Sequence, residues 1–164
     1  MPPVPGRPFN VPRAIRHWII TPATSYDASG IQAVGWHMQL RILVVEDDEP
    51  LRVLAQSVAE DEGYRVKTAG SVVEAKALME TEEVDLLLTD INLHEEMTGG
   101  ILVAEHARSK FPGIPVIYTS GAGVNDGTRA LFVEDSHFLP KPYKNVDLLA
   151  ALRAAKPKQS RRKG

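Results

Sequence analysis

The sequence predicts an α/β domain: a doubly wound, five-stranded parallel sheet of order 2-1-3-4-5 with helices on both faces. Three observations predict it. Apolar runs of strand length recur five times, and stretches with helical spacing stand between them. The middle run, Leu86-Leu87-Leu88, shows no polar alternation, which suits a strand covered on both sides. Right-handed crossovers turn such an alternation into a parallel sheet, and 2-1-3-4-5 is a common order for five units.

Taken in order, Leu40 to Val45 is the first strand, ending in Glu46-Asp47-Asp48-Glu49. Pro50 is tolerated in the first turn of the helix that follows, where Leu51, Leu54, Ala55 and Val58 recur at helical spacing. Gly63 stops that helix. Tyr64 to Ala69 alternates as a second strand with Tyr64, Val66 and Thr68 on one face. Ser71, with Glu74 three residues on, is a capping box that opens a helix to about Thr81. The organising strand covers 84–90 and stops abruptly at Asp90. Asn92 to Gly100 is a loop, and a helix follows from about Ile101 to Lys110 until Pro112-Gly113 breaks it. Ile114 to Thr119 is the fourth strand, closing on Ser120-Gly121. A poor helix is expected over Thr128 to Val133, in the least stable region of the domain. His137 to Leu139 is a short fifth strand before Pro140-Lys141-Pro142, and Asp147 to Ala155 is the last helix.

A chain of 164 residues is expected to hold one domain with one core. It has no Cys, which excludes disulfides, thiol nucleophiles and cysteine zinc sites and fits a reducing, cytoplasmic setting. No apolar run approaches the roughly 20 residues of a membrane helix, so no membrane partner is expected. The net charge of −2 is unevenly spread. Between Met38 and Ala155 there are 20 acids and 11 bases, a net of −9. So acidic a body speaks against direct DNA binding. Six of the 12 prolines fall in the first 22 residues, and no clean period follows them, although Ala14 to Ile20 has the make-up of one short apolar turn or strand. Residues 1–37 are therefore expected to be a disordered or loosely packed extension, 38–155 the domain, and 156–164 a basic, solvated tail. Met38, where ordered sequence begins, is a candidate natural start.

In open α/β sheets the chemistry gathers beyond the carboxyl ends of the strands, at the switch point between the first and third. Glu46 and Asp47 end the first strand and Asp90 ends the third, so three carboxylates are expected in one crevice. Like charges that close repel, and a hard divalent cation with oxygen ligands, Mg²⁺, relieves them. Thr119 and Ser120 end the fourth strand, and Ser120 offers a hydroxyl donor. Lys141, after the fifth, adds a point charge that suits a bound oxyanion. A carboxylate nucleophile, a metal, an ammonium and a hydroxyl together describe phosphoryl transfer to an aspartate.

These residues resemble the receiver domain of two-component response regulators. The resemblance covers about Gln39 to Ala155. It rests on Ile42-Leu43-Val44-Val45-Glu46-Asp47, Asp90 after the leucine run, Gly99, Thr119-Ser120-Gly121 and Phe138-Leu139-Pro140-Lys141-Pro142-Tyr143. It implies a flavodoxin-like fold of the single-domain, chemotaxis-regulator type, with Asp90 as phosphoacceptor. It also implies that Glu46, Asp47, Asp90 and the backbone carbonyl of Asn92 bind Mg²⁺. Ser120 and Lys141 would follow the phosphoryl group, Phe138 would be the switch aromatic, and the Lys141–Pro142 bond would be cis. The donor would be a histidine kinase or histidine phosphotransfer protein, and the receiver of the signal a downstream protein target. With nine residues after Ala155, no output domain is expected.

Plainer readings stand beside these. Asp48 and Glu49 fit helix N-terminal acids better than ligands. Thr119 reads as strand, Tyr118 and Tyr143 as packing or partner surface, Phe138 also as simple core, and His94, whose position near Asp90 invites a catalytic reading, as a solvated loop residue. His94 stands where the family often has proline, the loop to Gly99 is one residue longer than its commonest form, and 122–136 is divergent. Two rivals remain: a phosphorylation-independent pseudo-receiver acting as an interaction module, and an aspartyl-phosphate hydrolase. The intact acid pair, Asp90, Ser120 and Lys141 oppose the first. Asn92, where the second needs an acid, opposes the other.

Overall fold

A computed structural model describes residues 20–26, 32–94 and 96–157. The chain divides into two units, one up to Gln39 and one from Leu40 onward. In the first unit β1 (Ile20–Tyr26) pairs antiparallel with β2 (Gln32–Met38), Ile20 opposite Met38 and Tyr26 opposite Gln32. The sequence reading assigned no such pair, because the proline-rich start masks any period there. Most of the Ala14 to Ile20 segment lies outside the described residues, as do Glu95 and the tail from 158.

The second unit is the doubly wound domain. Its elements are β3 (Arg41–Val45), α1 (Glu49–Asp61), β4 (Arg65–Ala69), α2 (Val72–Thr81), β5 (Leu86–Asp90) and α3 (Gly99–Lys110). They continue with β6 (Val116–Ser120), α4 (Asp126–Arg129), β7 (His137–Pro140) and α5 (Asn145–Ala154). The strands pair in parallel in the order β4-β3-β5-β6-β7, the expected 2-1-3-4-5.

The leucine run explains the layering. Leu86 and Leu88 face one core with Ile42, Val44 and Ile117, which α1 and α5 cover through Ala55, Val58, Leu148 and Leu152. Leu87 faces the other with Leu43, Val45 and Val116, covered by α2 and α3 through Ala75, Met79, Val103 and Ala104. Both faces of the central strands are dry, so alternation has no use there. Each fully buried Leu or Val contributes about 1.5–3 kcal/mol of transfer free energy. The edge strand β4 is half covered and does alternate, as Tyr64 to Ala69 implied.

Local chemistry sets the helix starts. Asp48 caps α1, accepting from the Leu51 N–H at 3.0 Å. Ser71 caps α2 by accepting from the Glu74 N–H at 3.2 Å, while the Glu74 carboxylate reaches back to the Gly70 N–H at 2.7 Å. One expected element moves. The poor helix is a single turn over Asp126–Arg129 rather than Thr128 to Val133. Asn125 caps it early, accepting from the Thr128 N–H at 2.8 Å. The chain then leaves the helix so that Phe132 stacks on Tyr118, ring centroids 4.2 Å apart, and the Val133 N–H donates to the Tyr118 hydroxyl.

Candidate functional site

Parallel register carries four chain segments to one edge. Val45 lies opposite Thr89, Asp90 opposite Thr119, and Ser120 opposite Pro140, so the residues that follow β3, β5, β6 and β7 emerge side by side. The Glu46 N–H prolongs the β3–β4 ladder by donating to the Ala69 carbonyl at 3.0 Å, which seats its side chain inside. Glu46 and Asp90 are buried and Asp47 is half-buried. Each offers a carboxylate oxygen, and these three oxygens lie within 4.8 Å of one another.

Lys141 is the counter-charge. Its Nζ lies 2.6 Å from Glu46 Oε2 and donates to Asp90 Oδ2 at 2.7 Å. Its own N–H donates to the Ser120 carbonyl at 2.9 Å, which fixes where the side chain starts, and its bond to Pro142 is cis, as the resemblance implied. Burial by itself would lower the Lys141 ammonium, but the hydrogen bonds to Asp90 and Glu46 outweigh it and hold it above the ordinary lysine value. For Glu46 burial wins: its carboxyl is pushed above the ordinary glutamate value despite Lys141 beside it. Three carboxylates against one ammonium leave the cluster short of positive charge. The donors are all oxygen, which suits a hard divalent cation.

The other expected residues differ in what they touch. The Asn92 N–H donates to Asp90 Oδ1 at 3.3 Å. The Ser120 hydroxyl is buried and accepts from the Ala122 N–H at 3.2 Å. Phe138, beside Tyr118 in the β6–β7 pairing, is tilted against Phe132 at 6.2 Å, and the Arg129 guanidinium lies 5.6 Å over its ring. Asp48 is a cap, as its plainer reading had it.

Two contributors, Arg52 and Gly100, are not among the residues the sequence singles out, and a third, His94, reads there as a solvated loop residue. Arg52 reaches back from α1 and donates to the carbonyls of Glu46 at 2.7 Å and Asp47 at 3.4 Å, fixing the turn that carries the acids. Gly100 lets α3 start hard against the end of β5. A Cβ there would stand 1.8 Å from the Asp90 carbonyl oxygen. His94 is exposed, as expected of a loop, yet both its N–H and its ring Nδ1 rest on Asp47 Oδ2, at 3.0 and 3.3 Å. A glycine pair before a helix signals close approach in a sequence. Nothing local announces Arg52 or His94, whose partners are set by tertiary position.

A parallel α/β domain with an acidic cluster and a lysine at its switch point defines a class, and known proteins agree with it. The family described as response regulator receiver domain matches residues 42–153, so this chain belongs to that family. An NtrX-like response regulator of Rickettsia typhi is 30% identical over 118 residues, 71% of this chain and 25% of that protein. The chain thus spans about a quarter of the length of such curated relatives. Among solved structures, a response regulator receiver protein of Sinorhizobium medicae superposes with a TM-score of 0.65 at 28% identity, covering 70% of this chain and 92% of that one. A CheY-like receiver domain protein of Methanospirillum hungatei gives 0.63 at 30% identity, covering 70% and 91%. Among the described residues no helix is long and apolar enough to cross a membrane.

Proposed function

We propose that this chain takes a phosphoryl group onto Asp90 from a histidine kinase or histidine phosphotransfer protein and signals by protein contact. The observation that carries the reading is the Lys141 ammonium held between Asp90 and Glu46 within a cluster of three carboxylates. A carboxylate oxygen of Asp90 forms the new bond to phosphorus as the phosphorus–nitrogen bond of the donor's phosphohistidine breaks. The electron pair returns to the imidazole nitrogen, which takes a proton from water. Positioning and charge neutralisation govern such transfers.

The residues divide that work. Glu46, Asp47, Asp90 and the Asn92 carbonyl are the set that would hold Mg²⁺, which when bound supplies charge neutralisation at the incoming phosphoryl oxygens. Lys141 is already on the attacking carboxylate and can follow the new charge. Ser120 offers its hydroxyl from the neighbouring strand end. Movement of Ser120 and Phe138 toward the phosphoryl group would then shift the surface around α4 and β7, a two-state bias toward a downstream protein target.

Incubation with acetyl phosphate and Mg²⁺, followed by intact mass, tests this. One added phosphoryl group on the wild type and none on Asp90→Ala is the expected result. No adduct on either, with no phosphate released by turnover, would leave an interaction module that does not use Asp90.

A further inference from the structure

We propose that His94 is a positioning residue that tightens divalent-cation binding by fixing the Asp47 carboxylate from its solvent side. The inference rests on reading Glu46, Asp47 and Asp90 as a cation site, and it names which residue tunes that site.

The three carboxylates are not held alike. Glu46 and Asp90 are both oriented by Lys141, at 2.6 and 2.7 Å. The side chain of Asp47 has no bond to Lys141. Among the described residues it is held by His94, whose main-chain N–H donates to Oδ2 at 3.0 Å and whose ring Nδ1 is 3.3 Å from the same oxygen. The main-chain contact is a hydrogen bond, and the ring nitrogen stands close against the same oxygen. His94 is in the left-handed region, φ 51°, and its N–H and its ring both meet the same oxygen of Asp47. On either side of it, Leu93 and Glu96 exchange main-chain hydrogen bonds at 3.1 and 2.9 Å, closing a tight turn that carries His94.

Groups that hydrogen-bond a ligating carboxylate pre-orient it, and losing them typically weakens metal binding about 10- to 100-fold. The His94 ring is 64% exposed, and its main-chain N–H survives mutation, so the expected loss is smaller, about 3- to 10-fold. His94 does not itself join the carboxylate cluster, so no change in metal preference is implied.

Calorimetric titration of the full chain with MgCl₂, before any phosphorylation, tests the proposal, with thermal melting as a control on folding. The variants are His94→Ala, His94→Gly and Asp47→Asn. Glycine accepts the left-handed backbone without a side chain, so it separates the ring's contact from loop strain. Weaker binding in both His94→Ala and His94→Gly, with near wild-type melting, supports the proposal. Unchanged affinity in His94→Ala overturns it. So does wild-type affinity in His94→Gly beside a loss in His94→Ala, which would assign the effect to backbone strain. Should the wild type bind no Mg²⁺, the cation-site reading itself falls; a wild type that binds and is abolished by Asp47→Asn keeps that reading whatever His94 does.

Discussion

Gly100 sits directly beneath Asp90: a Cβ on Gly100 would stand 1.8 Å from the Asp90 carbonyl oxygen, and the Gly100 N–H donates to Ile91 at 3.0 Å. The helix start and the proposed acceptor are thus one rigid corner. Gly100→Ala must push α3 away from β5, and is expected to cost at least about 3 kcal/mol in urea unfolding. Gly63→Ala is the control. Gly63 has φ 87° and nothing within 4 Å of its would-be Cβ, so only left-handed strain of about 1–2 kcal/mol is expected.

Lys141 links stability to pH. Its side chain is 13% exposed, against 5% for Glu46 and 10% for Asp90. Lys141→Met strands two buried carboxylates, and about 3 kcal/mol of stability is expected to go near neutral pH, the lower end for a broken buried pair. In the variant the carboxyl of Glu46, raised by burial, stays raised without its ammonium partner. A raised folded value means that folding takes up a proton, so stability returns as pH falls and is fully recovered below the ordinary 4.5. The wild type holds the Lys141 contribution in full below 10.5 and loses it as pH rises from there through the raised lysine value. Melting curves across pH for both proteins check this.

How much of this was legible in the sequence follows from where the forces are local. Leu86-Leu87-Leu88 declared a strand covered on both faces, and the acids and Lys141 at strand ends declared the edge they share, since parallel topology leaves little choice once strands and helices alternate. The single turn at Asp126–Arg129 was misplaced because its end is set by Phe132 finding Tyr118, a contact no local pattern encodes. The β1–β2 pair was hidden by prolines. His94 looked like solvent-facing loop and is exposed, yet its N–H and its ring both meet Asp47.

Magnesium is expected to stabilise the folded chain by linkage. Free Mg²⁺ at ten times its dissociation constant adds about 1.4 kcal/mol and raises Tm, and a chelator reverses it. Asp47→Asn should remove most of that gain while leaving the cation-free protein within about 0.5 kcal/mol of wild type, since Asp47 is only half-buried. Scanning calorimetry with and without Mg²⁺ separates the two quantities. A Tm indifferent to Mg²⁺ would count against the site.

The segment after α4 hangs on two aromatic contacts. Tyr118→Phe removes the hydroxyl that accepts from the Val133 N–H, worth about 1 kcal/mol. Phe132→Ala removes the ring stacked on Tyr118 and is expected to cost about 2 kcal/mol, since Phe132 is half-buried. Both losses should be local. Hydrogen exchange is expected to quicken over residues 130–136 while β3 and β5 stay protected.

Arg52 offers the sharpest contrast with Lys141. Its guanidinium donates to two main-chain carbonyls, Glu46 at 2.7 Å and Asp47 at 3.4 Å, rather than to their carboxylates. Arg52→Met keeps the stem and loses those bonds, an expected cost of about 1–2 kcal/mol for charged donors to partly buried acceptors. The acceptors are main-chain carbonyls, which have no proton to take. The Arg52→Met deficit should therefore be flat between about pH 5 and pH 8, where the Lys141→Met deficit shrinks on acidification. A parallel pH slope in the two variants would mean that Arg52 acts through the carboxylates after all, and that the backbone turn is held by something else.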